Sequence, residues 1–189
     1  MCPPGHYCPT GSYTKRPCAS GTYQNEWGRW TCKTCPAGYF CNATHGPVSL
    51  FGSYECPQGF YCPAGTKFAT EYPCGLGTFL NRTKGESSAD CIPCIGKFIC
   101  DSTGLANPWR LCSSGYYCRR GVNSSTPRAG VDGDQCPPGR YCPEGMYDLH
   151  TDTSFVDIGT VRAEMLILKV QTYLPIRTRA LAFCLKLIP

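Results

Sequence analysis

The feature that most constrains this sequence is the periodic placement of its cysteines. Seventeen cysteines occur in 189 residues, and the six from Cys2 to Cys41 recur as the six from Cys56 to Cys100 with offsets of 54 to 59 residues. A third, incomplete copy begins at Cys112. Such a density is typical of disulfide scaffolds in secreted chains. The fixed period predicts tandem modules rather than one domain.

Large apolar residues are too few to build a conventional core. Residues 1–154 contain 12 Val, Ile and Leu and 6 Phe, about 12% of that segment. A chain below roughly 20% in these four residues rarely folds without cross-links. This excludes a conventional enzyme core, an α/β domain and a helical bundle there. The predicted fold is small and disulfide-rich, with tandem cysteine-rich modules in an elongated rod of short β-hairpins and turns.

The repeat suggests four segments. We place cysteine-rich module 1 at residues 1–54, module 2 at 55–110, a partial module 3 at 111–147, and a tail at 148–189. In the tail, apolar residues at helical spacing allow an amphipathic helix after Pro175, although a non-native end is the interpretation that we favour. No uncharged run approaches the roughly 20 residues of a membrane span, so no transmembrane segment is expected. Cys184, within the tail, has no partner in the repeat.

One phrase recurs inside the modules: Cys-x-x-Gly-x-aromatic-Cys. It begins at Cys2, Cys35, Cys56, Cys112 and Cys136. Pro4-Gly5 suits the central positions of a type II turn, because Pro presets φ and Gly supplies a positive φ. Such a turn brings cysteines six positions apart within disulfide distance. The aromatic residue before the second cysteine is expected to pack over the disulfides.

The sequence alone leaves the disulfide pairing open, because six cysteines allow many connectivities. We favour local pairing of cysteines six positions apart, with Cys18 joined to Cys32 and Cys74 to Cys91. Overlapping pairs such as Cys8–Cys18 stay possible. The cysteines predicted to form disulfides are Cys2, Cys8, Cys18, Cys32, Cys35, Cys41, Cys56, Cys62, Cys74, Cys91, Cys94, Cys100, Cys112, Cys118, Cys136 and Cys142.

Two segments carry a family resemblance. Pro17–Cys41 and Pro73–Cys94 resemble the ephrin-receptor-like cysteine-rich repeat, which is grouped with growth-factor-receptor and tumour-necrosis-factor-receptor cysteine-rich modules. The resemblance implies a rod of small disulfide modules in a secreted or membrane-anchored extracellular protein. It implies no catalytic, cofactor-binding or ligand-binding residue. The third copy departs from the pattern, because it lacks the Gly-Thr-aromatic phrase and the CxxC.

Three N-glycosylation sequons lie in polar turns, at Asn42, Asn81 and Asn123. Together with the cysteines they favour an oxidising, extracellular compartment, as a secreted protein or the ectodomain of a membrane protein. Met1 is followed at once by Cys2, without a signal peptide. We therefore expect this chain to be a piece of a longer protein.

The CxxC pairs, Cys32/Cys35 and Cys91/Cys94, suggest two other functions. Four thiolates can hold zinc, which would make this an intracellular zinc-binding protein. A redox site would need a helix N-terminus that lowers a thiol pKa, and nothing around the CxxC pairs is helical in pattern. A small disulfide-rich protease inhibitor is a further alternative, although no loop identifies itself as inhibitory.

Other side chains give weaker signals. We expect Trp27, Trp30 and Trp109 to cap the disulfides, with exposed interaction anchors as the alternative. The net charge of +5 forms no basic patch, so nucleic acid is not an expected partner. The leading hypothesis is a non-enzymatic extracellular cysteine-rich repeat protein without a cofactor. It would serve as a spacer or protein-interaction segment, with an unknown protein ligand or neighbouring modules of the parent chain as partners.

Overall fold

Regular structure in this protein is confined to very short elements. The computed structural model describes residues 1–11, 14–128 and 130–148 and the backbone of 156–157. Within these ranges a single 3-10 turn, Ser88–Asp90, is the only helical element. The helix predicted after Pro175 and the unpaired Cys184 lie outside the described residues. The strands are β1 (His6–Tyr7), β2 (Arg16–Pro17), β3 (Thr22–Tyr23), β4 (Lys33–Thr34), β5 (Thr78–Phe79), β6 (Ile92–Pro93), β7 (Phe98–Ile99), β8 (Arg110–Leu111), β9 (Tyr116–Cys118), β10 (Gly133–Gln135), β11 (Arg140–Tyr141) and β12 (Val156–Asp157).

These strands pair in sequence order as six antiparallel hairpins, from β1–β2 to β11–β12. In each hairpin the first strand follows a Cys-x-x-Gly turn or its variant. The second strand, in all but the last hairpin, ends immediately before the next such turn. Isolated bridges Tyr39↔Glu55 and Phe60↔Pro73 occupy the equivalent places in the two remaining turns. The fold of short hairpins and turns predicted from the sequence is confirmed.

Each of these turns contains an equivalent hydrogen bond of its own. The N–H after the turn glycine donates to the carbonyl of the residue after the cysteine, as from His6 to Pro3 at 3.2 Å and from Arg140 to Pro137 at 3.2 Å. Gly5 has φ +79°, the left-handed value that the third position of a type II turn requires. The type II turn predicted at Pro4-Gly5 is therefore confirmed.

The structure also shows a repeat shorter than the one seen in the cysteine spacing. Gln24 and Leu80 stand where other turns have their second cysteine, and both side chains are buried. In a third variant Lys97, with φ +81°, takes the place of the turn glycine. The chain therefore contains repeat units, 1 to 8, which begin at Cys2, Cys18, Cys35, Cys56, Cys74, Cys94, Cys112 and Cys136.

Backbone hydrogen bonds stack each repeat unit on the next. Between units 7 and 8, the Gly115 N–H donates to the Cys142 carbonyl at 2.9 Å and the Gly115 carbonyl accepts from the Cys136 N–H at 2.8 Å. The same two bonds occur at every junction, with Lys97 in place of glycine between units 6 and 7. Because main-chain groups make them, these bonds tolerate many side chains.

A second turn in each unit adds two more bonds to the junction. Between units 7 and 8, the Gly145 N–H donates to the Cys112 carbonyl at 2.9 Å, and the Cys118 N–H donates to the Met146 carbonyl at 2.9 Å. The position equivalent to Gly145 in unit 3 is Pro47, which has no N–H to donate. That junction keeps the other bond, from Gln24 to the Val48 carbonyl at 3.1 Å.

In units 1 to 5 the first turn also approaches the unit two places ahead. A Cβ placed on Gly21 would lie 2.5 Å from the Gly65 carbonyl oxygen, and one on Gly5 would lie 3.1 Å from that of Pro47. Gly21 belongs to unit 2 and Gly65 to unit 4. Glycine is thus required there for space as well as for its positive φ.

The buried residues form small separate clusters around the disulfides. Cys35, Cys41 and Val48 make one such cluster, with half-buried aromatic rings packed against it. Among the larger apolar side chains, Leu80, Ile99 and Met146 are almost fully buried. No helix within the described ranges is long and apolar enough to cross a membrane. Cross-links and stacked turns take the place of a single core.

Candidate functional site

The disulfides are the chemically distinctive groups of this chain. Six of them join cysteines six positions apart: Cys2–Cys8, Cys35–Cys41, Cys56–Cys62, Cys94–Cys100, Cys112–Cys118 and Cys136–Cys142. Cys18–Cys32 and Cys74–Cys91 close the two units whose seventh residue is Gln24 or Leu80. The Cα atoms of the pairs are 5.7 to 5.9 Å apart, which suits a disulfide. Each of these eight disulfides, among the residues that the structure describes, closes a loop within its own unit.

The two CxxC pairs are divided between different disulfides. Cys32 is joined to Cys18, whereas Cys35 is joined to Cys41. The second CxxC repeats the arrangement, because its two cysteines also belong to separate bridges. A cysteine in a disulfide has no thiolate to offer to a metal. The zinc-binding hypothesis is therefore wrong, and no other cluster among the described residues is arranged to hold a metal ion.

The asparagines of the three sequons lie in irregular segments between the strands. Asn81 and Asn123 are exposed, and Asn42 is half-buried. The side-chain oxygen of Asn42 accepts hydrogen bonds from the N–H of Thr44 at 2.9 Å and from its hydroxyl at 2.5 Å. This local bonding is an Asx turn within the sequon itself. N-glycosylation at the three asparagines stays a prediction.

The tryptophans stand in solvent, so the prediction that they cap the disulfides is wrong. Trp27, Trp30 and Trp109 are 61%, 67% and 71% exposed. The reason is that smaller side chains and the stacked turns already cover the sulfur atoms: Val48 packs on Cys35–Cys41, and Met146 on Cys142. The sequence contained a usable signal, since all three tryptophans fall outside the Cys-x-x-Gly-x-aromatic phrases.

Charged groups flank these exposed rings. The Glu26 carboxylate, next to Trp27, pairs with Lys33 at 2.5 Å and with Arg29. The hydrogen bond from Lys33, followed by that from Arg29, lowers the pKa of Glu26 below its usual value. Arg110, which also pairs with Asp101, lies over the ring of Trp109 at 5.8 Å. The exposed tryptophans therefore lie beside fixed charges, a combination found in interaction surfaces.

A further ion pair links two units that are two places apart in the stack. The Lys84 ammonium lies 2.9 Å from the Glu55 carboxylate and 5.3 Å from the centre of the Tyr39 ring. The hydrogen bond that Lys84 donates to the Glu55 carboxylate is the main cause that raises the pKa of Lys84. Lys84, with φ +60°, occupies the second-turn position that is Gly145 in unit 8 and is glycine in several other units. The side chain at this strained position is thus used to join unit 5 to unit 3.

Known proteins similar to this chain are large and modular. Human signal peptide, CUB and EGF-like domain-containing protein 2 is 35% identical over 133 residues, which cover 67% of this chain and 12% of that protein. Rat sushi, von Willebrand factor type A, EGF and pentraxin domain-containing protein 1 is 28% identical over 148 residues, or 72% of this chain and 4% of its own length. Cysteine repeat modular protein A of Toxoplasma gondii is 33% identical over 94 residues, covering 47% of this chain and 3% of the relative. No family model matches the sequence.

These similarities identify the kind of repeat that this chain contains. The chain spans 12% of the length of the first of these relatives and less of the other two. With the eight disulfides, they show a cysteine-rich repeat of the type found in modular extracellular proteins. They also favour an extracellular location.

Proposed function

We propose that this chain is a spacer and protein-interaction segment of a larger secreted or receptor-like protein. The observation that supports this most is the repeated junction: successive units are joined by the same backbone hydrogen bonds from Cys2 to Met146. A stack built this way separates what lies before it from what lies after it by a defined distance. We further propose that it is not an enzyme and that its modules are of the ephrin-receptor-like kind, which the phrases in Pro17–Cys41 support.

The interaction part of the proposal rests on the exposed rings. Trp27 and Trp30 lie three residues apart on unit 2, and tryptophan is enriched among residues that dominate binding energy at protein interfaces. A protein ligand or a neighbouring module is therefore the expected partner. Both tryptophans flank Arg29, which is paired with Glu26, so an interface here would combine apolar contact with a fixed charge.

The spacer function is tested by measuring distances along the stack. Fluorophores attached through non-natural amino acids at the exposed positions Ser53 and Glu144 should give one narrow distance distribution in single-molecule energy transfer. A matched pair at Ser53 and Lys67, one unit apart, controls for dye motion. After reduction of the disulfides the Ser53–Glu144 distribution should broaden. A broad distribution in the oxidised protein would reject the spacer.

The disulfide frame and compartment are tested in the same material. Expressed behind a secretion leader, the protein should leave the cell with the 16 cysteines of the repeat blocked to alkylation. Peptide mapping without reduction should place Cys32 with Cys18 and Cys35 with Cys41. A bridge between Cys32 and Cys35 would contradict the pairing and reopen a redox function.

A further inference from the structure

Two tryptophans of unit 2 lie outside the packing that holds the stack together. Trp27 and Trp30 are 61% and 67% exposed, and every residue from 27 to 31 faces solvent. None of the hydrophobic clusters among the described residues includes either ring. Another ring of the same unit does pack, since Tyr23 lies edge-on against Phe51 with ring centres 4.8 Å apart. Two large apolar rings so close together at a surface indicate a role other than stability.

The backbone between the two rings is fixed by unit 1. The Gly28 N–H donates to the Cys2 carbonyl at 2.8 Å, and the Arg29 carbonyl accepts from the Cys8 N–H at 2.9 Å. These bonds use main-chain groups only, so they do not depend on what the neighbouring indoles carry. A group added to a carbon of the Trp27 ring would extend into solvent and leave the junction between units 1 and 2 intact.

The same two residues form a phrase that the repeat does not require. Trp27-Gly28-Arg29-Trp30 reads Trp-x-x-Trp. In chains that enter the secretory pathway this phrase is an acceptor for mannose attached to carbon, as Asn-x-Ser/Thr is an acceptor for glycans attached to nitrogen. The sugar goes to the first tryptophan, and the second is the recognition element. Trp30 has Lys33 three positions later, so only Trp27 of the pair stands in the acceptor position.

We propose that Trp27 is a C-mannosylation site. C2 of its indole attacks C1 of a mannose carried on a polyprenyl phosphate, the donor class for this transfer. The bond between C1 and the phosphate oxygen breaks, and its electron pair leaves with the phosphate. A bond between C1 of the sugar and C2 of the indole forms, and the proton on C2 is released, which restores the aromatic ring. The transfer needs no oxidant or reductant.

This modification goes beyond the proposed function and needs only passage through the secretory pathway. The eight disulfides favour that route, because disulfides form and persist in oxidising compartments. The sugar hydroxyls would lie over a ring that otherwise exposes apolar surface to water. The exposed position of Trp27 therefore suits both the transfer and its product.

The experiment measures the masses of the two tryptophan peptides. The full chain is secreted from mammalian cells behind a secretion leader, reduced, alkylated and cut with trypsin, which cleaves after Arg29 and so separates Trp27 from Trp30. The Trp27 peptide should gain the mass of one hexose residue, whereas the Trp30 peptide should keep its unmodified mass. The hexose should resist alkaline β-elimination, because a carbon–carbon bond joins it to the ring. Trp30→Ala, which changes an exposed side chain, should abolish the modification of Trp27.

Three results would overturn the proposal. An unmodified Trp27 peptide from cells that make the mannose donor would show that the phrase is not used. Loss of the hexose on β-elimination would assign it to a serine or threonine hydroxyl of the same peptide. Equal modification of Trp27 in the parent chain and in Trp30→Ala, with the Cys18–Cys32 bridge closed in both, would show that the phrase is not what the transferase recognises. None of these results affects the Ser53–Glu144 distance that tests the spacer function.

Discussion

The contact between a unit and the unit two places ahead can be isolated with one pair of glycine substitutions. Gly21 and Gly115 occupy the same turn position and have nearly the same backbone, with φ +86° and +83°. They differ in their surroundings. A Cβ on Gly21 would lie 2.5 Å from the Gly65 carbonyl oxygen, whereas one on Gly115 has no described neighbour within 4 Å.

Gly21→Ala should therefore destabilise the stack more than Gly115→Ala. Both substitutions carry the cost of an L-residue at positive φ, about 1–2 kcal/mol. Only Gly21→Ala must also displace backbone, which adds about 1–3 kcal/mol as in other overpacked sites. The expected difference is about 2 kcal/mol, or roughly thirtyfold in a local opening equilibrium.

Native-state hydrogen exchange measures this difference at matched amides. The Cys35 N–H donates to the Gly21 carbonyl at 2.9 Å, and the Cys136 N–H donates to that of Gly115 at 2.8 Å. Exchange should accelerate much more at Cys35 in Gly21→Ala than at Cys136 in Gly115→Ala. Equal acceleration would refute the packing of unit 2 against unit 4 as a source of stability.

Three other predictions concern single side chains. The Asp90 carboxylate accepts hydrogen bonds from the N–H groups of Glu86 and Ser87, which lower its pKa below 3.8. The turn at Ser88–Asp90 should therefore be stable above pH 3.8 and loosen as the pH falls through the folded pKa of Asp90. NMR titration measures this transition, and Asp90→Asn should remove it. Gln24→Ala should lower the free energy of unfolding by about 2–3 kcal/mol, because the buried amide donates to the Thr31 carbonyl and accepts from the Glu26 N–H. An unchanged midpoint of thermal unfolding would contradict that role. Enzymatic deglycosylation of the secreted protein should lower its mass at each used sequon, and the single Asn→Gln variants should each lose one step, at Asn42, Asn81 and Asn123.

The local rules of this fold are readable in the sequence. The Pro4-Gly5 dipeptide fixes a type II turn through its own φ preferences, and the scarcity of aliphatic residues requires cross-links. Both features act over a few residues or through composition alone. The turn and the disulfide-rich architecture could therefore be predicted without knowledge of the neighbours.

The cysteine spacing does not reveal the shorter repeat, because another buried residue can replace the second cysteine of a unit. A search keyed to cysteine misses the equivalence of Gln24 and Leu80 with the second cysteine, since burial rather than sulfur is what the position requires. Alignment on Cys-x-x-Gly-x-aromatic alone would have found units 2 and 5. That pattern would still miss unit 6, because Lys97, with φ +81°, occupies the position of the turn glycine there.

The exposure of the tryptophans was mispredicted for a different reason. A large ring appeared necessary to shield disulfides in a chain with so few aliphatic residues. The backbone of the adjacent unit and single side chains such as Val48 already do this. Contacts within a unit and between adjacent units decide that outcome, and a single sequence does not specify them.

The confinement of the eight described disulfides to their own units has a mechanical consequence. The disulfide loops shield the turns from tension, whereas units are held against one another by hydrogen bonds, packing and ion pairs such as Lys84–Glu55. A pull on the two ends would therefore separate units while the small loops stay closed. Such a chain would lengthen in steps under load and shorten again on release, since each turn keeps the geometry needed to rejoin its neighbour.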